Sequence, residues 1–369
     1  MKPFLQEYHV KLKTVGPVFI GNGKEINKKE YIMSNRRVTV FNIQKLYQRM
    51  KQLHLDGDFE KFLLGESRSF ELARWLEEKR LDAGKLSDCR RYILECNEFT
   101  RDGKGNLQIL EFMKDAYMHP YVPGTSLKGM FRTIILGSDM IRNRRKYDMN
   151  RRTIIANSKF GGGRGYLSKE AGQAEQTAFH TLKRNEKRID DAVNDWMSGF
   201  IVSDSEPLDL NNLTLCQKVE RHADGSEKVL NILRECIAPG TEINFTITID
   251  TEICPYEAEE ILDAVGCFAD SCYNNFINCF NGMDRPSDDT VWLGGGAGFV
   301  TKTIVYPLMG KEDGLPLVKQ IFDKTLSEKA RREHKHYNDD IIGASPHIIK
   351  CTRYNGQTLQ MGMCHIRIV

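Results

Sequence analysis

Tyr8, Val10, Leu12 and Thr14 alternate with other residues and run into Gly16-Pro17, which predicts a half-buried strand closed by a turn. The period then changes. Ile43, Leu46, Tyr47, Met50 and Leu53 recur at helical spacing, and Leu72, Trp75 and Leu76 repeat it in a shorter segment, so residues about 33–110 read as a helical insertion. In YVPGTSLKGMFRTIIL, Pro123-Gly124 makes a turn and Thr125 or Ser126 is placed to cap a helix. Leu127, Phe131, Ile134 and Ile135 form the buried stripe of that helix.

Four strand-like segments follow, FIVSDSEPL, LTLCQKVER, KVLNILRECI and EINFTITID, with HADGSE as a hairpin-type turn between the second and third. Ile261, Leu262, Val265, Phe268, Cys272, Phe276 and Phe280 then repeat as one long amphipathic helix. The glycines of LGGGAGFVTKTIVY stand beside a β-branched run that reads as a strand, and a helix over 315–331 comes next. Two strand-like runs around Asn355-Gly356 complete the chain. Each half therefore offers the element content of a β-α-β-β-α-β unit. The predicted fold is α+β, with tandem ferredoxin-like units over residues 1–200, carrying the insertion, and 201–369, carrying the glycine-rich loop.

Composition narrows the class. The chain has 369 residues, 40% hydrophobic and 28% charged, enough for a sizeable core. MKPFLQEYHVKLK lacks the apolar run of a secretory signal or membrane span, so a cytoplasmic location without membrane contact is expected. The ten cysteines form no C-x-x-C pair, and Cys267, Cys272 and Cys279 follow an apolar pattern, as reduced core residues do.

A net charge of +3 would not announce a polyanion partner, but the charge is unevenly spread. From Arg142 to Arg188 there are thirteen Lys or Arg, Arg144, Arg145 and Arg164 among them, against four acids. That excess is an electrostatic footprint for phosphates, with a solvated helix face as the plainer reading. The FGGGRGY interruption suggests a mobile loop before a short helix around 170–188.

Neither GPVFIGNGKE nor LGGGAGFVTKT has the G-x-x-x-x-G-K-[ST] or G-x-G-x-x-G register of a nucleotide loop. Gly294, Gly295, Gly296 and Gly298 instead allow a phosphodiester backbone to approach main-chain N–H groups, with Lys302 following to neutralise charge. The alternative is a tight connection between two elements. PGTSLKG offers a second anion site, a helix N-terminus with Ser126, backbone donors and Lys128. Its alternative is an ordinary capped helix.

Taken together, TVGPVFIGNG, YVPGTSLKG and GGGAGF with its TKT resemble the motif set of the RAMP superfamily of CRISPR effector proteins. The length, the LKTVGPVFIGNGKEI opening, VSDSEPL and the motif order are most similar to the Csm-type subunit of type III-A effector complexes. The resemblance covers most of the chain and is weak across residues 40–110. It implies an RRM-related, non-catalytic binder of CRISPR RNA (crRNA) that caps the backbone filament at the crRNA 3′ side. It also implies a part in crRNA maturation for antiviral defence. The implied partners are crRNA, neighbouring RAMP backbone subunits of the Csm complex and host nucleases that trim the crRNA 3′ end. No cofactor or metal is implied. Carried over by position, it points to Gly124, Ser126, Lys128 and Arg132, to Gly294 through Gly298 with Lys302, and to Gly21, Asn22 and Gly23.

Some superfamily members cleave RNA with a histidine base, which keeps a metal-independent endoribonuclease as the alternative. Relatives often carry histidine where this chain has Phe19, which weakens that case. His9 and His119 are the remaining candidate bases, and Asp204 and Asp209 the candidates for the aspartate that backbone subunits use on targets. Neither pair is assigned a catalytic role. His334, His336, Asp339 and Asp340 form a conceivable metal cluster, but they follow a helix dense in Lys and Arg and read as a solvated helix end. Phe131, Tyr166 and Phe299 are candidates for stacking on bases.

Overall fold

The structure is a computed structural model that describes residues 4–100 and 107–369. Residues 101–106 of the expected insertion, and the first three of the opening segment, lie outside the described residues.

The opening strand forms as its alternation predicts. It spans Leu5–Thr14 and buries Val10, Leu12 and Thr14 on one face. It lies at the centre of a five-stranded sheet in the order Thr290–Trp292, Met363–Ile368, Leu5–Thr14, Glu242–Asp250, Phe200–Val202. All four pairings are antiparallel. Glu242–Asp250 buries Ile243, Phe245, Ile247 and Ile249 at period two. The helix Gly124–Arg142 packs against the helix Ala258–Asn275, and its Phe131 meets Phe200 edge-on at 5.4 Å and Phe245 at 6.4 Å. In chain order the two helices and four of these strands run β-α-β-β-α-β.

A six-stranded sheet follows the order Gln357–Gln360, Ile348–Tyr354, Leu213–His222, Glu227–Ile237, Gln108–Phe112, Gly21–Ile26. Its one parallel pairing joins Gln108–Phe112 to Glu227–Ile237. Both sheets thus draw strands from before and after residue 200, and a cut there runs through their hydrogen bonds. The two halves are interleaved because the chain returns at its end to pair Met363–Ile368 with the opening strand.

The segment expected to be a helical insertion is mixed. A three-stranded sheet, Tyr31–Ser34, Arg37–Phe41 and Arg90–Glu95, carries the helices Ile43–Gln52, Asp56–Leu64 and Leu72–Glu78. Its core is separate, built on Leu46, Met50, Phe59, Phe62, Trp75 and Leu76.

Further expectations are corrected. The run after the glycine loop is not a strand: a helical turn at Val300–Lys302 leads into the helix Val305–Thr325, which bends where Gly310 takes φ +72°. The helix expected at 315–331 therefore begins earlier and stops short of the separate helix Glu328–His334. The basic stretch forms the helices Asp148–Asn157 and Ser168–Phe179 with the FGGGRGY run as the connection between them, and the second helix stops short of 188. The long amphipathic pattern ends as helix at Asn275, where Phe276 leaves helical geometry with φ −144°. No described helix is long and apolar enough to cross a membrane.

Candidate nucleic-acid interface

Three sequence motifs far apart in the chain line one cavity of about 430 Å³. Gly21 opens the strand Gly21–Ile26, Thr125, Ser126, Gly129 and Thr133 come from the helix, and Trp292, Gly294, Gly295 and Lys302 from the glycine loop and its flanks. Thr125, Gly129 and Thr133 are four residues apart and share one helix face. Apart from the helix's own backbone, no atom stands within 4 Å of a Cβ built at Gly129, so this wall is open. Trp292 is 3% exposed, and its indole Nε1–H has no hydrogen-bond partner. An unmet buried donor beside a cavity is a standing demand for an acceptor.

The loop glycines serve the protein's own packing first. Gly294 takes φ +82°, and a Cβ there would stand 2.3 Å from the Phe19 carbonyl oxygen. Gly295 donates its N–H to that oxygen at 2.6 Å. The bare backbone thus lets the loop lie on residues 19–21 and close the cavity, so the tight-connection reading holds for these two positions. Gly296, at φ +89°, leaves room for Arg234, whose Nη1 is 2.5 Å from where a Cβ would be, and Gly298 takes φ +102°.

Arg234 is the residue that sequence reading missed. It stands on Glu227–Ile237 with its guanidinium 5.3 Å from the Phe19 ring, and its Nε and Nη1 lack partners. Burial lowers its pKa from the ordinary arginine value. Burial first, and the Arg234 charge second, lower the pKa of Lys302. Among the described residues neither has a carboxylate within salt-bridge distance. Lys302 is exposed and lines the cavity, whereas Arg234 is half-buried behind it and adds its charge without lining it. The available signal was an arginine flanked by buried Leu233 and Glu235 in a strand-like run, which is weak by itself.

The helix start differs from expectation. Neither Thr125 nor Ser126 caps it; Gly124 N–H donates to Asp204 Oδ1 at 2.6 Å, across 80 residues of chain. The N-terminal anion position is filled by the protein's own carboxylate. Gly124 is needed for closeness, since a Cβ would fall 2.5 Å from the Val202 carbonyl oxygen. Lys128 turns inward and donates to the Met197 carbonyl at 2.7 Å, and burial lowers its pKa. Arg132 pairs with Asp195 at 2.8 Å and Glu175 at 3.1 Å and lies 4.0 Å over the Phe179 ring. Both cations are occupied inside the fold, so only Ser126 of the four expected here reaches the cavity.

The remaining candidates fall elsewhere. The expected turn at 21–23 is the start of the bulged strand Gly21–Ile26: Asn22 donates to Glu111 Oε2 at 3.0 Å, and Gly23 takes φ +82° with open space beside it. Arg144, Arg145 and Arg164 are exposed and do not line the cavity. Phe131 is a fully buried core ring, which removes it as a stacking surface, whereas Tyr166 and Phe299 line a neighbouring cavity of about 330 Å³. His119 is exposed, with Nδ1 3.5 Å from Asp115, and His9 is exposed on its strand; neither lines the cavity. Asp209 caps a helical turn at Leu210–Asn212. His336 and Asp339 are buried, which corrects the solvated-helix-end reading, while exposed Asp340 pairs with Lys319.

Known proteins resemble this chain along most of its length. A chain called "CRISPR system Cms protein Csm5" from Mycobacterium tuberculosis is 27% identical over 392 aligned residues, covering 100% of this chain and 99% of the relative. A protein of that name from Streptococcus thermophilus is 27% identical over 317 residues, covering 82% of each. Among solved structures, a chain of a Csm–crRNA–target RNA ternary complex of a type III-A CRISPR-Cas system matches with TM-score 0.63 at 19% identity. That match covers 98% of this chain and 100% of the other. The crystal structure of T. onnurineus Csm5 matches with TM-score 0.50 at 18% identity over 96% of this chain and 99% of the other. At such identities these two likenesses establish a common fold. The RAMP superfamily model matches residues 11–301, most of the chain and all three motifs around the cavity, and the protein belongs to that superfamily.

Proposed function

We propose that this protein is the crRNA-binding subunit of a type III-A Csm effector complex, holding the 3′ part of the crRNA and capping the filament of backbone subunits there. The observation that carries the reading is the meeting of three distant motifs at one cavity, backed by two cations without carboxylate partners, Lys302 and Arg234. Such a site suits phosphates and is indifferent to base identity, as a guide-holding subunit requires. The names of the sequence relatives and the complex in which the fold recurs support the same assignment. In this reading the subunit contacts neighbouring RAMP subunits and the nucleases that trim the crRNA 3′ end, and it performs no cleavage itself. We read the five-stranded sheet with its two helices as a ferredoxin-like unit, interleaved with a second unit built on the six-stranded sheet.

The test is RNA binding by the purified chain over a salt series, on a gel that also reports strand breaks. Intact RNA should bind with a linear log–log salt dependence, and each lost phosphate contact should lower the slope by about 0.7. Lys302→Ala should weaken binding equally for unrelated sequences. Discrete, metal-independent cleavage products would overturn the non-catalytic reading, and salt-independent binding would overturn the phosphate site.

A further inference from the structure

We propose that His336, Asp339 and His347 form a zinc-type metal site that staples the C-terminal part of the fold, a site independent of the RNA-binding reading. Each residue presents a ligand atom, and these atoms lie within 4.8 Å of one another. His336 Nδ1 is 3.1 Å and His347 Nδ1 2.6 Å from the Asp339 carboxylate. Zinc bound at ~2.0–2.2 Å in a tetrahedral site spaces its ligands by roughly 3.5 Å, so small side-chain rotations bring this set around an ion.

The surroundings favour a cation. Asp339 is 0% exposed, and among the described residues no lysine or arginine neutralises it, since Lys319 goes to Asp340 instead. A fully buried carboxylate requires compensating charge. Four of the nine histidines gather here: the His347 ring is 4.9 Å from His336 and 5.8 Å from His222, and His334 lies 5.9 Å from His336. Two imidazoles and one carboxylate make a donor set that zinc accepts, with the fourth position left to His222, His334 or water. Ser345 Oγ donates to Asp339 Oδ2 at 2.6 Å and fixes the carboxylate, as outer partners of metal ligands do.

The position gives the ion a task. His347 directly precedes the strand Ile348–Tyr354, whose Ile348 is registered against His222, while His336 and Asp339 lie in the short turns after Glu328–His334. Phe322 of the helix Val305–Thr325 stacks on the His336 ring at 4.3 Å and meets Phe299, just past the glycine loop, at 5.1 Å. A bound ion would tie the six-stranded sheet to this helix and brace the elements behind the loop.

The experiment uses the full chain without a purification tag. Metal content is measured before and after chelation, Tm is followed on adding Zn²⁺ or Mg²⁺, and Co²⁺ is added to read its visible absorption band. We expect about one zinc per chain, a Tm that falls on chelation and recovers with Zn²⁺ but not Mg²⁺, and a tetrahedral Co²⁺ band. Asp339→Asn keeps a hydrogen-bond acceptor for Ser345 and should lose the band; His347→Ala should lose it as well. A folded wild-type chain that holds no metal, shows no Co²⁺ band and keeps its Tm on chelation is a hydrogen-bonded cluster only, and overturns the proposal. The wild-type readouts decide even if the variants fail to fold.

Discussion

At the scale of single residues, cations already engaged by the fold stand apart from one that is not. Lys128 and Arg132 look alike in sequence as phosphate binders, yet each is engaged by the protein, whereas Arg234 keeps two donor atoms without partners. Removing Arg234 should therefore uncouple stability from binding. In Arg234→Met the thermal midpoint should hold or rise, because a desolvated, unpaired charge is gone. RNA affinity should fall, and its salt slope with it, because the positive charge behind Lys302 is gone. Gly296→Ala should behave differently. It places a side chain at φ +89°, 2.5 Å from Arg234 Nη1, and the left-handed backbone alone costs about 1–2 kcal/mol. Thermal unfolding beside RNA titration of both variants checks the contrast.

At the scale of elements, strand pairs carry the buried charges. Glu220 and Lys350 stand directly opposite each other in the register of Leu213–His222 and Ile348–Tyr354, with Lys350 Nζ 2.7 Å from Glu220 Oε1. Burial raises the Glu220 pKa, but the Lys350 and Lys218 charges and hydrogen bonds outweigh it and bring the carboxyl down to about 2. Burial and the Lys218 charge lower Lys350 in turn, a cost carried at neutral and acid pH and relieved only as the amine deprotonates at high pH. A folded pKa below the unfolded value near 4.3 means stability fully present above ~pH 4.3 and lost as pH falls toward about 2. The loss is on the order of 2–3 kcal/mol. Chemical denaturation between neutral and acid pH should show this slope in the wild type and a shallower one in Glu220→Gln.

At the scale of the whole molecule, the described residues hold a large interleaved core, a separate one in the insertion and a small third cluster of Ile154, Met309 and Leu317. The insertion packs Trp75 between Phe59 at 5.2 Å and Phe62 at 5.5 Å, apart from the main sheets. Trp75→Ala should cost about 3–5 kcal/mol locally. Amide exchange should speed up over residues 43–78, stay slow over 5–14 and 242–250, and leave RNA affinity unchanged. Faster exchange spread evenly over all these segments would show that the insertion is not a unit of its own.

Local pattern was sufficient for much of this. The alternation of Tyr8 to Thr14 named a strand and its buried face, and the stripe from Leu127 to Ile135 named the helix that walls the cavity, because the burial of one face is written at short range. The motifs TVGPVFIGNG, PGTSLKG and GGGAGF also pointed to the family and to three pieces of the site. The tertiary structure alone decided which atoms in those pieces remain available. Asp204 takes up the helix start from 80 residues away, Phe19 takes the Gly295 N–H, and Arg234 arrives behind the loop from a different sheet. It also decided that a strand from the end of the chain pairs with the first, and that His347 joins His336 and Asp339. Hydrogen-bond partners and desolvation are set by whatever the fold brings within about 3 Å, which sequence spacing does not encode.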